Sequence, residues 1–199
     1  SETATLTYVV TDLATYKVAI IDSVLDYDPA SGRTRTHSAD QVIAYIDQHN
    51  LSVEWILETH VHADHVTAAG LLRRRTGAEV ALGAAAGVAA ADLALKDGDE
   101  ICAGSIRLVA IPTPGHTNGC TSLLLSGLSP GIVFTGDTLL IRGCGRTDFQ
   151  EGSAEQLYRS ITERLLTLPP ENIVYPGHEY TGRSASTIGE ERRFNPRLR

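Results

Sequence analysis

The 199-residue chain is predicted to be an α/β protein: an αββα sandwich of two mixed β-sheets with outer helices. Three observations predict it. Runs of β-branched and aromatic residues occur in both halves of the chain. Stretches of helical apolar period are interleaved with them. Four of the apolar runs lead into a histidine or an aspartate.

The elements follow in order. "TLTYVV" (5–10) and "YKVAIIDSVLDYD" (16–28) read as strands, and "DPASGRTRT" (28–36) as a loop. Ser38 with Gln41 three positions on reads as a capping box for a helix through about Gln48. "SVEWILET" (52–59) is a strand that runs straight into His60. Residues 65–77 carry a helical period that stops at Gly77, a suitable C-cap. "AEVAL" (78–82) reads as a short strand and "AAAGVAAADLAL" (84–95) as a helix. Two strands joined by a turn at Gly104 then lead to "PTPGH" and His116. "TSLLLSG" and "GIVFTGD" form a hairpin ending at Asp137. Residues 153–169 are an amphipathic helix, and "NIVYPGH" (172–178) is a last strand ending at His178. With no short repeat and no low-complexity linker, residues 1–199 are expected to form a single domain with a short C-terminal tail.

Composition narrows the function. A formal charge of −7 argues against general nucleic-acid binding. No uninterrupted apolar run reaches the roughly 18 residues of a membrane span, so no membrane association is expected. The first residues show neither a basic nor an apolar signal region. Three cysteines, Cys102, Cys120 and Cys144, are odd in number and form no CxxC pair. That usage fits a reducing compartment, and a cytoplasmic location is expected.

The chemistry concentrates in "ETHVHADHVTAAG" (58–70). Three of the seven histidines, His60, His62 and His65, fall there together with Asp64. Isolated histidines such as His37 and His49 are read as surface residues. A crowded set of imidazoles and a carboxylate at a strand end is costly to desolvate unless a cation shares it. Imidazole nitrogen and carboxylate oxygen suit zinc, iron or manganese. His116, Asp137 and His178 follow in matching strand-end positions, where loops hold groups rigidly and open to substrate.

"THVHADH", "TPGHTNG", "FTGD" and "YPGHEY" together resemble the metallo-β-lactamase fold superfamily, in its motif order and over nearly the whole chain. That resemblance implies one metal site at His60, His62 and His116 and another at Asp64, His65 and His178, with Asp137 able to bridge them. Within the superfamily, "GDTLLIRGCGRTDFQEG" (136–152) and "STIGEERRFNPRL" (186–198) resemble the persulfide dioxygenases. The alternative is a glyoxalase II-like zinc-dependent thioester hydrolase. It typically carries a further helical domain, whereas only 21 residues follow His178 here. A non-catalytic binding protein on the same fold is a third reading, disfavoured by the complete ligand set.

The dioxygenase resemblance implies oxidation of glutathione persulfide by O₂ to sulfite and glutathione. It implies one Fe(II) per chain held by His60, His116 and Asp137, a facial triad with three positions open. His62, Asp64, His65 and His178 then surround the ligands, ordering water and hydrogen-bonding near the open face. Arg142, Arg146, Tyr180 and Arg197 are the candidates for contact with glutathione, whose carboxylates suit guanidinium. A separate sulfurtransferase supplying the persulfide is compatible with this reading, and so is a homodimer. "RRR" (73–75) reads as charge favourable to a helix C-terminus. Cys144 is read as a small buried residue, Asp148 as the partner of a nearby base, and Trp55 as core. Gly115, Gly136 and Gly177 each precede a ligand candidate, where the backbone needs their freedom or their lack of a side chain.

Overall fold

The computed structural model describes residues 4–198, so the two ends of the 1–199 span, residues 1–3 and 199, lie outside the described residues. The first half supplies β1 (Tyr8–Thr11), β2 (Lys17–Ile21), β3 (Val24–Asp28), β4 (Arg33–Arg35), α1 (His37–Gln48) and β5 (Ser52–Glu58). Then come β6 (Val66–Thr67), α2 (Ala69–Thr76), β7 (Glu79–Gly83) and β8 (Leu93–Leu95). The second half supplies β9 (Glu100–Ala103), β10 (Ile106–Pro112), β11 (Thr121–Ser126), β12 (Ile132–Gly136), α3 (Ala154–Arg159), β13 (Ile173–Pro176), β14 (Ser186–Thr187) and α4 (Ile188–Phe194).

These strands form two mixed sheets, as expected. One has the order β1-β2-β5-β7-β8, antiparallel at β1-β2 and parallel beyond. The other has the order β14-β13-β12-β11-β10-β9, with a single parallel pair at β12-β13. The two-residue period of a strand explains the layering. In β2, Ala19 and Ile21 face the other sheet, while Val18 and Ile20 face the helices. In β12, Phe134 points inward and Val133 outward. Leu57, Leu108, Leu123 and Phe134 fill the space between the sheets. On the outside, Ala39, Ile46 and Leu72 of α1 and α2 cover the first sheet, and Leu157 and Ile188 of α3 and α4 cover the second. Each fully buried Ile or Leu contributes about 1.5–3 kcal/mol of burial free energy. The result is the αββα sandwich.

Several boundaries differ from the sequence reading, each for a local reason. Residues 16–28 are two strands, because Asp22 takes φ +52° and breaks the run; β3 then pairs with β4 and β6 in a small third sheet. The capping box at Ser38 does not form. The helix begins one residue earlier, and Asp26 of β3 accepts the Ser38 amide and hydroxyl at 2.8 and 2.6 Å. The predicted 65–77 helix begins only at Ala69, but Gly77 caps it in the left-handed conformation, as read. The alanine-rich 84–95 stretch is not an α-helix. Three residues of 3₁₀ helix end at Gly87 (φ +64°), and Leu93–Leu95 then adds as a parallel edge strand to β7. Asp92 fixes that course by accepting the Val80 amide at 2.9 Å and the Arg73 guanidinium at 2.6 Å. The helix predicted over 153–169 starts at Ala154, as a Ser153 N-cap requires, and widens into a π turn at Ser160–Leu165. The hairpins at Gly104 and between β11 and β12 form as predicted.

Candidate metal centre

Four strand ends converge at one rim of the sandwich. β5 delivers His60, the loop after β10 delivers His116, β12 delivers Asp137, and β13 delivers His178. The ligand-capable atoms of His60, His116 and Asp137 all lie within 4.8 Å of one another.

The His60 ring is buried, with Nδ1 2.9 Å from the Thr59 hydroxyl. Its Nε2 has no hydrogen-bond partner among the described residues. Burial, then the charge on neighbouring His62, pushes His60 down to about 3, so its imidazole is neutral at neutral pH. His116 points Nδ1 at the Arg146 carbonyl, 2.7 Å away. A carbonyl only accepts, so Nδ1 carries a hydrogen, and Nε2 is the nitrogen left to face the other ligand candidates. That Nε2 lies 3.7 Å from Asp137 Oδ2. Two imidazole nitrogens and one carboxylate oxygen suit a divalent cation, and an unpartnered nitrogen in a buried site is costly without one. The residues fit a metal ion.

The neighbouring groups are each held by charge. His178 lies between two carboxylates, with Nδ1 2.7 Å from Asp137 Oδ1 and Nε2 2.9 Å from Asp64 Oδ2. Burial opposes its charge, yet the hydrogen bonds and charges of Asp137 and Asp64 outweigh burial and lift it to about 9. The same contacts hold Asp137 and Asp64 below the usual carboxylate range despite their burial. His65 Nδ1 is 3.0 Å from Asp64 Oδ2, and the buried Thr5 hydroxyl lies 3.1 Å from His178 Nε2. His62 Nε2 is 3.3 Å from Asp22 Oδ1 and 3.2 Å from Glu58 Oε2. Burial works against its charge too, but these two carboxylates raise it well above the ordinary histidine value. A second donor group, His62, Asp64 and His65, adjoins the first.

Asp22, Glu58 and Thr5 escaped the sequence reading. Asp22 looks like mid-strand until its φ is known. Glu58 sits four residues before His62, the spacing of a facing pair, and offers the one local signal. Asp22 also accepts the Thr59 amide at 2.7 Å, and Glu58 accepts hydroxyls from Ser23 and Thr67 at 2.9 and 2.7 Å.

The glycines explain the close packing. Gly115 (φ +138°) lies against the backbone of Leu157, so α3 seats directly on the loop that carries His116. Ser153 N–H donates to the Gly115 carbonyl at 2.8 Å, and Ser160 in the π turn donates to the Pro114 carbonyl at 2.7 Å. A π turn at such a place is a common device near functional sites. A side chain at Gly177 would lie 2.7 Å from Asp137 Oδ1. Gly145, unremarked in the sequence, lies equally close to His116.

A cavity of about 540 Å³ opens over the centre, lined by His116, Asp137, Arg146, Phe149, His178 and Tyr180 among others. Arg146 stacks on Phe149 at 4.7 Å and pairs with Asp148 at 2.6 Å. Tyr180 lies parallel to the His178 ring, with centroids 5.9 Å apart. Arg197 lines an adjoining cavity that shares Cys144, Gly145 and Arg146 with the first. Arg142 stands apart from both: its guanidinium pairs with buried Glu191 and donates to Ser186 at 3.1 Å. That geometry supports an ion pair anchoring the tail rather than substrate contact. Burial raises the Cys144 thiol, against a smaller opposing pull from Arg197, so it is no ready thiolate.

This fold with this cluster defines a class. Residues 2–178 match the model of the Metallo-beta-lactamase superfamily. Human persulfide dioxygenase ETHE1, a mitochondrial protein, is 42% identical over 195 residues, covering 98% of this chain and 71% of its own length. A probable metallo-hydrolase of Burkholderia pseudomallei (strain 1710b) is 41% identical, covering 99% of this chain and 78% of its own. The crystal structure of ETHE1 from Myxococcus xanthus superposes with a TM-score of 0.89 at 43% identity, covering 99% of this chain and 80% of that one. The chain belongs to the metallo-β-lactamase superfamily and, within it, to the persulfide dioxygenase family.

Proposed function

We propose that this protein oxidises glutathione persulfide with O₂, using one Fe(II) per chain held by His60, His116 and Asp137. The observation that carries the iron site is the buried, unpartnered Nε2 of His60 beside the Nε2 of His116 and the Asp137 carboxylate. The persulfide chemistry is supported by near-full-length similarity to persulfide dioxygenases at 40–42% identity. The reaction balances as one persulfide, one O₂ and one water giving one thiol, one sulfite and two protons. Iron bound there supplies a redox-active centre with open positions for sulfur and O₂, which zinc does not.

The chain's own groups bind and orient. The Arg146 guanidinium and the Tyr180 hydroxyl line the cavity and suit a tripeptide carboxylate and amide; Arg197 extends the same wall. Phe149 braces Arg146 and meets the His116 ring edge-on at 5.8 Å. His178 holds Asp137 Oδ1, which leaves Oδ2 facing His116. One metal rather than two goes with the persulfide dioxygenase resemblance, and His178 is not free for a second because both its nitrogens face carboxylates. A separate sulfurtransferase as persulfide donor and a homodimer go with this reading by family resemblance, and the cysteine usage supports a cytoplasmic location. Among the described residues no helix is long and apolar enough to cross a membrane.

The test is O₂ uptake by anaerobically iron-loaded protein given fresh glutathione persulfide. Rapid uptake with sulfite formation, abolished in His116→Ala, is expected. No uptake by protein that demonstrably holds iron refutes the proposal.

A further inference from the structure

The three proposed ligands are divided between two cavities. His116 and Asp137 line the front cavity described above. His60 lines a second cavity of about 510 Å³, which shares none of its lining residues with the first. The proposed persulfide chemistry uses only the front one.

The second cavity differs in character. Val61, Val66, Val80, Leu82 and Val88 wall it, and His60, His62 and His65 form its inner end. Val61, Val66 and Val88 are each about two-fifths exposed, so its mouth reaches solvent. Its charged groups are already engaged: Glu58 by Ser23, Thr67 and His62, and Arg73 at the rim by Asp92. What it offers a guest is mostly hydrocarbon. Along the valine walls ordered water finds none of the two to four polar partners it needs; the unpartnered polar side-chain atoms of the lining, among the described residues, are the ring nitrogens His60 Nε2, His62 Nδ1 and His65 Nε2.

We propose that this valine-lined cavity is a binding and access site for dioxygen, leading to the metal centre from the His60 side. The proposal rests on the dioxygenase reading above. Its argument is the contrast between two reactants. A charged tripeptide persulfide suits the front cavity, with its arginine, tyrosine and histidine lining. Ligand pockets bury most of a ligand's surface, so a bound tripeptide closes the front approach. Dioxygen is small, uncharged and a poor hydrogen-bond acceptor, and it partitions into apolar space. His60 joins the two sides: it lines the rear cavity, and its buried Nε2 belongs to the ligand group. The arrangement lets O₂ arrive after the persulfide has bound.

The experiment pairs a structural readout with kinetics. Crystals of the iron-loaded protein are pressurised with xenon, a probe that occupies apolar cavities. Val88→Trp and Ala90→Trp, both exposed residues that line the cavity, close its mouth; Ala89→Trp, exposed between them but outside the lining, is the control. A xenon peak between the valines and His60 is expected, and is lost in Val88→Trp and Ala90→Trp. KM for O₂ rises by about tenfold in those variants while KM for glutathione persulfide stays within about twofold, and Ala89→Trp changes neither. Iron content and circular dichroism confirm that the variants are folded and loaded. Xenon absent from this cavity, or an unchanged KM for O₂ in variants that have lost the xenon peak, overturns the proposal. If iron-loaded wild-type protein takes up no O₂ with persulfide, the dioxygenase reading itself has failed, and O₂ is removed as occupant whatever xenon shows.

Discussion

Gly145→Ala perturbs the positioning of His116 and presses on the backbone of Asp137 beside it. Gly145 lies outside the left-handed region, so alanine brings no backbone strain there. The added Cβ would abut the Asp137 carbonyl oxygen and lie 2.8 Å from His116 Nδ1 and 2.9 Å from its Cγ. Ordinary contact begins near 3.4 Å, so the imidazole must retreat by about 0.6 Å. That retreat strains the Nδ1–H bond to the Arg146 carbonyl, now 2.7 Å, which sets the ring's tautomer and aim. Disturbing such an orienting bond lowers metal affinity by about 10–100-fold, and overpacking costs about 1–3 kcal/mol of stability. Iron affinity is read by competition with a chromogenic chelator, and stability by urea unfolding of the metal-free protein. Gly143→Ala is the control, because its Cβ meets only Leu140 at an ordinary 3.7 Å. Iron affinity in Gly145→Ala within about twofold of Gly143→Ala refutes the reasoning.

Three further outcomes follow from the same geometry. Arg146→Ala raises KM for glutathione persulfide with kcat little changed, because Arg146 is exposed on the cavity wall and, among the described residues, its close ion-pair partner is Asp148; a fall in kcat at constant KM would assign it a different role. The folded-state value of His178 stands near 9 against 6.5 for the free side chain, so its stabilising contribution is complete below pH 6.5 and is lost as pH rises through 9. The melting temperature of metal-free protein therefore declines across that window, and His178→Gln flattens the decline; an equal slope in both proteins contradicts the assignment. Asp22→Asn keeps a side chain that tolerates φ +52° but removes a charge from buried His62, and costs about 1–3 kcal/mol in chemical denaturation. An unchanged midpoint would show that Glu58 alone suffices.

The site was legible where its information is local. HxHxDH is compact, and the remaining ligands each end a strand whose period and turn chemistry are plain, so the convergence of His60, His116, Asp137 and His178 could be read ahead. The groups that hold them were not legible. Asp22 meets His62 only because β2 and β5 are parallel neighbours, and nothing in the linear order announces that pairing; Glu58, four residues before His62, gave the one local signal. The 84–95 stretch misled for the opposite reason. Alanine favours helix locally, but Gly87 stops the turn, and Asp92 with the free edge of β7 draws the chain into a sheet. Arg142 lies beside the motif that identifies the family, yet its partner Glu191 is 49 residues away in α4.

The proposed ligands are split between the two sheets: His60 belongs to the first, and His116 and Asp137 to the second. A cation shared among them is a removable rivet through the seam of the sandwich. Its binding free energy would add to the resistance of the two layers against parting at that rim, growing with the logarithm of its concentration relative to the dissociation constant. The mechanical closure of this edge, and with it resistance to proteases, therefore tracks the supply of metal. The hydrocarbon seam deeper in the sandwich, which owes nothing to the ion, does not.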